Sequence, residues 1–594
     1  MVNHVAEEGH LFASRASQTR VTVRTRIAQL GERIPLLLLA SIALTAVVVL
    51  LLVVAQISFQ VQDSLGNKTY SLANFRVLYT DSFAARALTN TAVFAAVSML
   101  VTFGFAIPIA WLAERTTLPG RGLIFPLLTI TLLLPGFFTG MGWIFLLHER
   151  IGIINRLLVD FLSLERSPIN IVSVVGMGWV EGIALVPVGF IMIAASFRAM
   201  DPVLEESARV HGVSFLSRMR RITLPLMTPS ILAAAIYVLG ITMAAFDIPA
   251  VIGLNNRIYT FSTFVWTSAN STTGAPSEYG VIGASSAVML VIGLFLTWRY
   301  MVVLGQSHRY AVVRGKDYQA TLIDLGWWAI LAWVLIGSVI AMTTVLPLLA
   351  LAWVSFIPYM QVPSAAAFQT LTLDNFRAVP WGTFMTGLRN SAILFFSVPT
   401  ISIILGLAIS WIVVRSRWRV GRAFDVVAFL PHVIPHLIFA VGAYLLVIFW
   451  LPPRWGLFER SIGIIMIVYI VTRISFVTRM FNSGLVQIHE ELDEAGYVAG
   501  LGPAGIIRKI LAPLLSATIL YTWLWSALLT LRELTVAAFL SSRDNQTLPV
   551  VVFGLWRDGR FQQAAAAFLA FIAVLTPLIL LYFVIGRGHI RPPD

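Results

Sequence analysis

The sequence predicts an all-α, polytopic membrane protein built from two parallel six-helix halves. Hydrophobic residues make up 58% of the 594 positions, charged residues make up only 12%, and the mean hydropathy is +0.86. This composition lies outside the range of soluble globular proteins. A hydrocarbon layer about 30 Å thick takes about 20 apolar helical residues to cross. Segments of that length recur along the whole chain, and a sparse polar pattern occurs twice between them.

Twelve apolar segments satisfy this length. Residues 1–33, ahead of the first segment, are mostly polar and rich in arginine. They are too long and too polar for a secretory signal peptide, so the first segment is expected to be a retained anchor behind a cytoplasmic tail. The expected spans are 34–58, 88–112, 122–147, 170–196, 226–253, 280–304, 326–354, 388–414, 424–450, 461–485, 514–540 and 563–585.

Basic residues predict the orientation of these spans. Loops on the side of the N-terminus carry most of the lysines and arginines. The positive-inside rule then places both termini in the cytoplasm of a multi-pass protein. The net charge of +13 is explained by arginines that face anionic membrane lipid, so no nucleic-acid partner is expected.

The composition also excludes several kinds of chemistry. The chain has no cysteine, which removes disulfides, thiolate metal sites and cysteine catalysis. Its three lysines, Lys68, Lys316 and Lys509, all lie outside any phosphate-binding loop of the G-x-x-x-x-G-K-[ST] type. No stretch outside the spans is long enough for a soluble catalytic domain. We therefore expect no catalytic residues, no metal and no bound cofactor in this chain.

An internal repeat divides the chain into two halves. Six spans in each half is an even number, so the second half enters the membrane from the same side as the first. We predict a first half at 34–305 with its core at 84–300, a linker at 306–323, and a second half at 324–594 with its core at 384–583. The paired sequence marks are Asn74 with Asn375, Asn90 with Asn390, and Leu134-Pro135 with Leu430-Pro431.

A repeated motif lies in a polar loop of each half, at 198–225 and 486–513. Glu206 and Glu494 are 288 residues apart, and in both copies a glycine is followed 13 residues later by a proline. Asp201-Pro202 is a favourable start for a short helix that the first glycine ends. Small residues after each glutamate would allow another surface to approach closely. The predicted docking residues are Glu205, Glu206, Ser207, Ala208, Gly212, Pro225, Asp493, Glu494, Ala495, Gly496, Gly500 and Pro513.

This pattern, E-x-A-x-x-x-G followed ten residues after the glycine by I-x-L-P, resembles the EAA motif of type I ABC importer permeases. The resemblance covers nearly the whole chain, with modest departures at Ser207, Gly496 and Ala512. It implies the transmembrane fold of that class, a bacterial inner-membrane location and coupling helices that seat in two copies of a cytoplasmic ABC ATPase. Those partners would use ATP and magnesium, and an external binding protein would deliver the substrate.

The fused two-half form is similar to the ferric iron importer permeases. The phrases FLPHVIPHLIFAVG, TLRELTVAAFL and TLPVVVFGLWRDGRFQQAAA carry this similarity. Ferric iron is therefore the favoured substrate. Thiamine, polyamines and 2-aminoethylphosphonate remain alternatives.

Ionisable residues inside the spans are candidates for a translocation path. Asp247 and Glu533 are nearly equivalent in the repeat, and two carboxylates there would attract a cation. Glu181 and Arg473 lie in corresponding spans, either as partners across the bundle or at the interface, and Arg532 offers a purely structural counter-charge.

His432 and His436 are spaced to share one face of a helix, which invites a metal site. Ferric iron prefers oxygen ligands, and the neighbouring prolines already explain a broken helix. A structural role is therefore favoured for both histidines.

Two other classes of function, an ion-coupled secondary transporter and an intramembrane enzyme, predict different sequence features. An ion-coupled secondary transporter would carry ion sites near the midplane and no repeated docking helix. An intramembrane enzyme would need a catalytic set at a common depth, and none is apparent in the sequence.

Overall fold

The computed structural model describes residues 34–62, 67–132, 134–200, 203–270, 276–307, 322–416, 420–451 and 461–587. The tail at 1–33, Asp201-Pro202 and most of the linker at 306–323 lie outside the described residues. Within them the chain is almost entirely helical, as predicted. The two strands found among the described residues form one short antiparallel hairpin, β1 (Gln60–Gln62) and β2 (Lys68–Tyr70).

The helices of the first half follow one another with short connections. They are α1 (Ile34–Phe59), α2 (Ala73–Thr80), α3 (Ser82–Arg115), α4 (Ile124–Leu132), α5 (Gly136–Leu147), α6 (Ile153–Leu162), α7 (Val174–Ala199), α8 (Val203–Val210), α9 (Phe215–Arg218), α10 (Leu224–Ala244), α11 (Phe261–Asn270) and α12 (Pro276–Ser307).

The second half repeats this order. Its helices are α13 (Trp328–Ile340), α14 (Leu346–Phe356), α15 (Ala365–Gln369), α16 (Asp374–Arg377), α17 (Trp381–Arg415), α18 (Val420–Val433), α19 (His436–Trp450), α20 (Ile462–Val486), α21 (Glu491–Val498), α22 (Pro503–Ile506), α23 (Ala512–Leu514), α24 (Ser516–Arg532), α25 (Thr535–Leu540), α26 (Leu548–Arg557) and α27 (Phe561–Arg587).

Nine stretches among the described residues are long and apolar enough to cross a membrane, and three bent pairs raise the number to twelve. Each predicted span overlaps one of these twelve. The bends are 90° between α4 and α5, 101° between α18 and α19, and 84° between the helices Pro503–Leu514 and Ser516–Arg532. The second bend agrees with the broken helix expected near Pro431 and Pro435, and the third lies at the start of the expected span 514–540. The first bend, inside the expected span 122–147, was not predicted.

Proline accounts for two of the bends. Pro135 and Pro435 adopt extended backbone angles directly before α5 and α19. A proline has no N–H to continue a helix and disfavours helical geometry in the residue before it. Pro135 therefore corresponds to Pro435, 300 residues later. The sequence pairing of Pro135 with Pro431 is wrong, because Pro431 lies inside α18.

The repeat is visible in matched hydrogen bonds. The Asn74 amide donates to the carbonyl oxygens of Ser58 and Gln60, and the Asn375 amide donates to those of Ser355 and Ile357. Each asparagine ties the short helix after the first span of its half back to the end of that span. Equivalent side chains therefore satisfy equivalent backbone groups in the two halves.

The first span of each half packs against the other half. The Leu50 carbonyl of α1 lies against Gly442 of α19, and the Pro347 backbone of α14 lies against Gly142 of α5. A hydrogen bond strengthens the contact between α5 and the first span of the second half, since Trp143 Nε1 donates to the Met342 carbonyl over 3.1 Å. Each half is thus completed by a helix from the other.

Both repeated motifs lie at one end of the bundle, here called the motif end. The beginning of α1 packs with Ile506, which follows the second motif helix. At its other end α1 contacts Gly283 at the beginning of α12. Helix α12 runs back beside α10, where the rings of Tyr300 and Tyr237 lie 6.4 Å apart. Because α10 begins at the first motif, the two motifs share one end.

The close approach of α1 to α19 predicts that a methyl group added at Gly442 destabilises the protein. A Cβ on Gly442 would lie 2.4 Å from the Leu50 carbonyl oxygen, so Gly442→Ala forces the helices apart and should cost about 1–3 kcal/mol. Gly337→Ala is the matched control, because a Cβ there meets no atom within 4 Å. Unfolding of the purified protein in detergent measures both, and equal stability of the two variants would contradict the packing.

Candidate functional site

The first motif segment, residues 203–225, is a short helix, a glycine turn and a second helical stretch. Helix α8 ends at Val210 and is followed by a turn at Gly212, whose φ of 76° lies in the left-handed region. Gly212 N donates to the Arg209 carbonyl, and Val213 N donates to the Ala208 carbonyl. This is the Schellman arrangement that ends helices at glycine. Pro225 then stands in the first turn of α10.

The second motif segment, residues 491–513, repeats this geometry. Gly500 has a φ of 79°, its N–H donates to the Tyr497 carbonyl, and Leu501 N donates to the Gly496 carbonyl. Pro513 stands in the first turn of α23. The identical spacing in the sequence therefore produces the same turn twice, and the glycine is required in both copies because other residues are strained at this φ.

The small residues of the two segments face different ways. Ser207 and Ala495 are exposed, whereas Ala208 and Gly496 are buried. A Cβ on Gly496 would lie 2.9 Å from the side chains of Ile506 and Ile510. The sequence analysis assigns all four residues to an approaching partner. The structure corrects this for Gly496, whose lack of a side chain lets α21 pack on the helix that follows it.

The acidic residues also divide into inward and outward positions. Glu205 and Asp493, 288 residues apart, are mostly buried and pair with Arg115 and Arg415. Burial raises the pKa of Asp493, and the adjacent Arg415 opposes that rise. Of the two predicted docking acids of the second copy, Glu494 is the exposed one that a partner could reach.

An apolar side chain stands out on the exposed surface of each segment. Val210 is 83% exposed and Val498 is 90% exposed, and they too are 288 residues apart. Phe215 and Leu216 extend the exposed apolar surface in the first copy. The motif end therefore presents two equivalent knobs, each with an apolar tip.

A second polar region lies inside the bundle where the halves meet. Thr535 Oγ1 donates to Asp247 Oδ1 over 3.2 Å, and these residues are 288 positions apart. Asp247 therefore meets its own counterpart in the repeat. The sequence analysis instead treats Glu533 as the nearly equivalent residue, two positions earlier.

Glu533 is held by residues of its own half. Arg473 Nη2 lies 3.3 Å from Glu533 Oε2, and His436 Nδ1 lies 3.5 Å from the same oxygen. The Tyr469 hydroxyl donates to the Glu533 carbonyl over 3.0 Å. Arg473 thus pairs with Glu533 and not with Glu181. Glu181 is buried and interacts electrostatically with Asp247 and Arg532.

His432 and His436 do not act together. The break between α18 and α19 falls between them, so the spacing that predicts a shared helical face does not apply. His432 stacks on the ring of Tyr237 at 5.4 Å, whereas His436 approaches Glu533. The two imidazoles therefore contact separate groups.

Several contacts of these two regions were missed by sequence reasoning. Arg115 and Arg415 were not singled out, although each is the last residue of a long span and they are 300 positions apart. Their recurrence at the repeat offset is a signal that could have found them. No such signal marked Thr535 or Tyr469, since the repeat places different residue types at their equivalent positions.

Comparison with known proteins shows which permeases this chain is similar to. Residues 388–590 match the model of the binding-protein-dependent transport system inner membrane component. The probable ABC transporter permease protein y4fN of Sinorhizobium fredii is 25% identical over 476 residues, which cover 78% of this chain and 81% of that protein.

Two ferric transport permeases also align over most of the chain. The ferric transport system permease protein FbpB of Actinobacillus pleuropneumoniae is 23% identical over 83% of this chain and 70% of its own length. The putative ferric transport system permease protein FbpB 1 of Haemophilus influenzae is 22% identical over 79% of this chain and 72% of its own length.

These matches and the duplicated helical fold show a multi-pass inner-membrane protein. The chain resembles the fused permeases of the type I ABC importer class, and among them the ferric iron importer permeases.

The pairing of Glu533 predicts a loss of stability on its neutralisation. Glu533→Gln leaves the buried guanidinium of Arg473 without its counter-charge, which should cost about 3–5 kcal/mol. Asp374→Asn is the control, because the Arg377–Asp374 pair is 78% and 72% exposed and such pairs contribute about 1 kcal/mol or less. Denaturant titration of purified protein compares the two. A loss at Glu533 no greater than that of the control would refute the pairing.

Proposed function

We propose that this chain is the membrane permease of an ATP-driven ferric iron importer and that its two motif segments dock two copies of a cytoplasmic ABC ATPase. The observation that carries the proposal is the pair of equivalent knobs at one end of the bundle, each with a Schellman turn and an exposed valine. In this proposal the motif end faces the cytoplasm with both termini. An external binding protein delivers the substrate at the opposite end.

The geometry of the knobs supports docking of a partner. Exposed apolar side chains such as Val210 and Val498 gain free energy when a partner removes them from water. The exposed carboxylate of Glu494 adds a charge for a basic partner. Two equivalent knobs on parallel halves match two copies of one ATPase. ATP and Mg²⁺ are then used by the partners, and this chain supplies only the path.

The names of the relatives and the intramembrane carboxylates support iron as the substrate. Asp247 accepts one hydrogen bond from Thr535 and is only partly buried, so it retains accessible surface where the halves meet. Glu533, in contrast, is neutralised by Arg473. We therefore propose Asp247 as the principal carboxylate of the path, with Glu181 near it and with Glu533 and Arg473 as the pair that shapes its surroundings.

Docking is tested by placing charge on the apolar tips. The variant Val210→Asp with Val498→Asp should lose co-purification of the partner ABC ATPase, because burying an unpaired carboxylate costs several kcal/mol. A loss of more than about a hundredfold in affinity corresponds to about 2.7 kcal/mol. Glu206→Lys with Glu494→Lys should act in the same direction.

Tyr79→Asp is the matched control for docking, since Tyr79 is 88% exposed on α2 at the opposite end. It should retain the ATPase fully. Unchanged ATPase binding by both double variants would refute the docking role.

Substrate is tested by uptake in cells that lack other ferric importers. Cells with the chain, its ATPase and its binding protein should take up labelled ferric iron. Asp247→Asn should reduce uptake about tenfold, equivalent to about 1.4 kcal/mol, with ATPase co-purification unchanged. Labelled thiamine, putrescine and 2-aminoethylphosphonate are measured in parallel. If the cells take up one of these solutes and not iron, that solute and not iron is the substrate.

A further inference from the structure

Each motif segment is attached to the longest helix of its half by a buried ion pair. Arg115 ends α3 and its Nε lies 3.0 Å from Glu205 Oε2, while Arg415 ends α17 and its Nε lies 3.2 Å from Asp493 Oδ2. The arginine side chains are 8% and 6% exposed. The arginines are 300 positions apart and the acids 288, so the two pairs are equivalent in the repeat.

Each arginine also binds the backbone at the end of the span that leads into the motif. Arg115 Nη2 donates to the Met200 carbonyl over 3.3 Å. Arg415 Nη2 donates to the carbonyls of Leu485 and Ile488 over 3.0 and 2.6 Å. One guanidinium therefore joins three elements: the end of a long helix, the end of the preceding span and the motif helix.

In the first half the acid extends the junction further. Glu205 Oε1 accepts a hydrogen bond of 2.5 Å from Thr223 Oγ1, directly before α10. In the second half Glu490 Oε1 lies 3.7 Å from Arg415 Nη1 and takes the place of this additional contact. Both junctions thus hold the motif helix through an ion pair and hydrogen bonds. A partner that displaces the motif helix would act directly on these contacts.

The same long helices are fastened near their other ends to the contact between the halves. Asn90 donates to the Tyr259 carbonyl, and Asn390 donates to the carbonyls of Asp544 and Gln546. About 25 residues separate each asparagine from its arginine, which is about 37 Å of helix. The hydroxyls of the next residues, Thr91 and Ser391, accept from the backbone N–H groups of Phe261 and Leu548.

The segments held there reach across to the other half. Helix α11, which starts at Phe261, carries Trp266, whose Nε1 donates to the Ala538 carbonyl over 3.3 Å. Helix α26, which starts at Leu548, carries Trp556, whose Nε1 donates to the Val251 carbonyl over 3.0 Å. Each long helix therefore connects a motif segment with a hydrogen bond between the halves.

Close packing makes the first of these connections stiff. Gly178 and Gly182 let α7 approach α3 so closely that Ser98 and Thr102 donate to their carbonyl oxygens over 2.9 Å. In the second half Ser410 donates to the Thr478 carbonyl over 3.2 Å. Small residues with interhelical hydrogen bonds are the usual means of tight helix association in membranes.

We propose that Arg115 and Arg415 are positioning residues that transmit displacement of the motif segments along α3 and α17 to the contact between the halves. This proposal rests on the proposed docking of ATPases at those segments. A neutral side chain in place of either arginine removes the ion pair that attaches the motif helix to α3 or α17. The ATPases would still bind, but the force they exert would be lost at the junction.

The first test measures the attachment without any partner. Since the chain has no cysteine, Val210→Cys and Val498→Cys each accept a single spin label in the full-length protein in lipid nanodiscs. Arg115→Met should increase mobility of the label at position 210, and Arg415→Met should increase it at position 498. The charge-swapped pairs Arg115→Glu with Glu205→Arg and Arg415→Glu with Asp493→Arg should restore order. Arg377→Met, in an exposed pair, should change neither label.

The second test measures coupling with the ATPase bound. Arg115→Met and Arg415→Met should retain ATPase co-purification and ATP hydrolysis while substrate uptake per ATP falls at least tenfold. Glu205→Gln and Asp493→Asn keep side-chain volume and should show the same loss if the arginine variants do not yield folded protein. Failure of the wild-type chain to bind any ATPase would refute the proposed function while the label measurements still stand.

Unchanged label mobility in both arginine variants would overturn the proposal. So would unchanged uptake per ATP, or a failure of the charge-swapped pairs to restore order at either label.

Discussion

The contact between the two halves is the constraint on which the rest of the structure depends. Asp247 meets Thr535, its counterpart 288 residues later, so a pseudo-twofold axis passes between them. In parallel repeats related by such an axis, the two residues of each equivalent pair lie at the same depth in the bundle, on opposite sides of the axis. The two motif segments share one end for this reason, and the exchanged first spans, α1 and α13–α14, hold the arrangement together from outside.

Charges inside the bundle follow from the same contact. A carboxylate or guanidinium taken from water must be paired or hydrogen-bonded, because the cost of burying it alone is several kcal/mol. Glu533 meets that requirement within its own half through Arg473, whereas Asp247 meets it across the axis through a neutral hydroxyl. The two carboxylates that look alike in the sequence are therefore different: Glu533 pairs with an arginine of its own half, and Asp247 accepts a hydrogen bond from the other half.

Much of the fold could be predicted from residue patterns, and the failures have identifiable causes. Hydropathy located the nine long apolar helices and the three bent pairs among the described residues, because a helix of about 20 apolar residues is the usual solution for crossing a bilayer. Hydropathy alone does not show that the three pairs are bent, since a bend at Pro135 or Pro435 leaves the composition unchanged. The repeat located the motif helices and their glycine turns, but the inward position of Gly496 depends on Ile506 and Ile510 packing over it. The attachment of α21 to α17 likewise depends on Arg415, a residue outside the motif.

The sequence by itself predicted a helical membrane protein that resembles ABC importer permeases, its apolar segments, the duplication and the two motif segments. Each of these rests on local properties: hydrophobicity along one helix, the backbone freedom of glycine and the missing N–H of proline. Only the tertiary structure decided which half α1 and α13–α14 complete, that Arg473 pairs with Glu533, and that Arg115 and Arg415 hold the motif helices. These contacts join residues far apart in the chain, and burial of a charge selects its partner by distance in space.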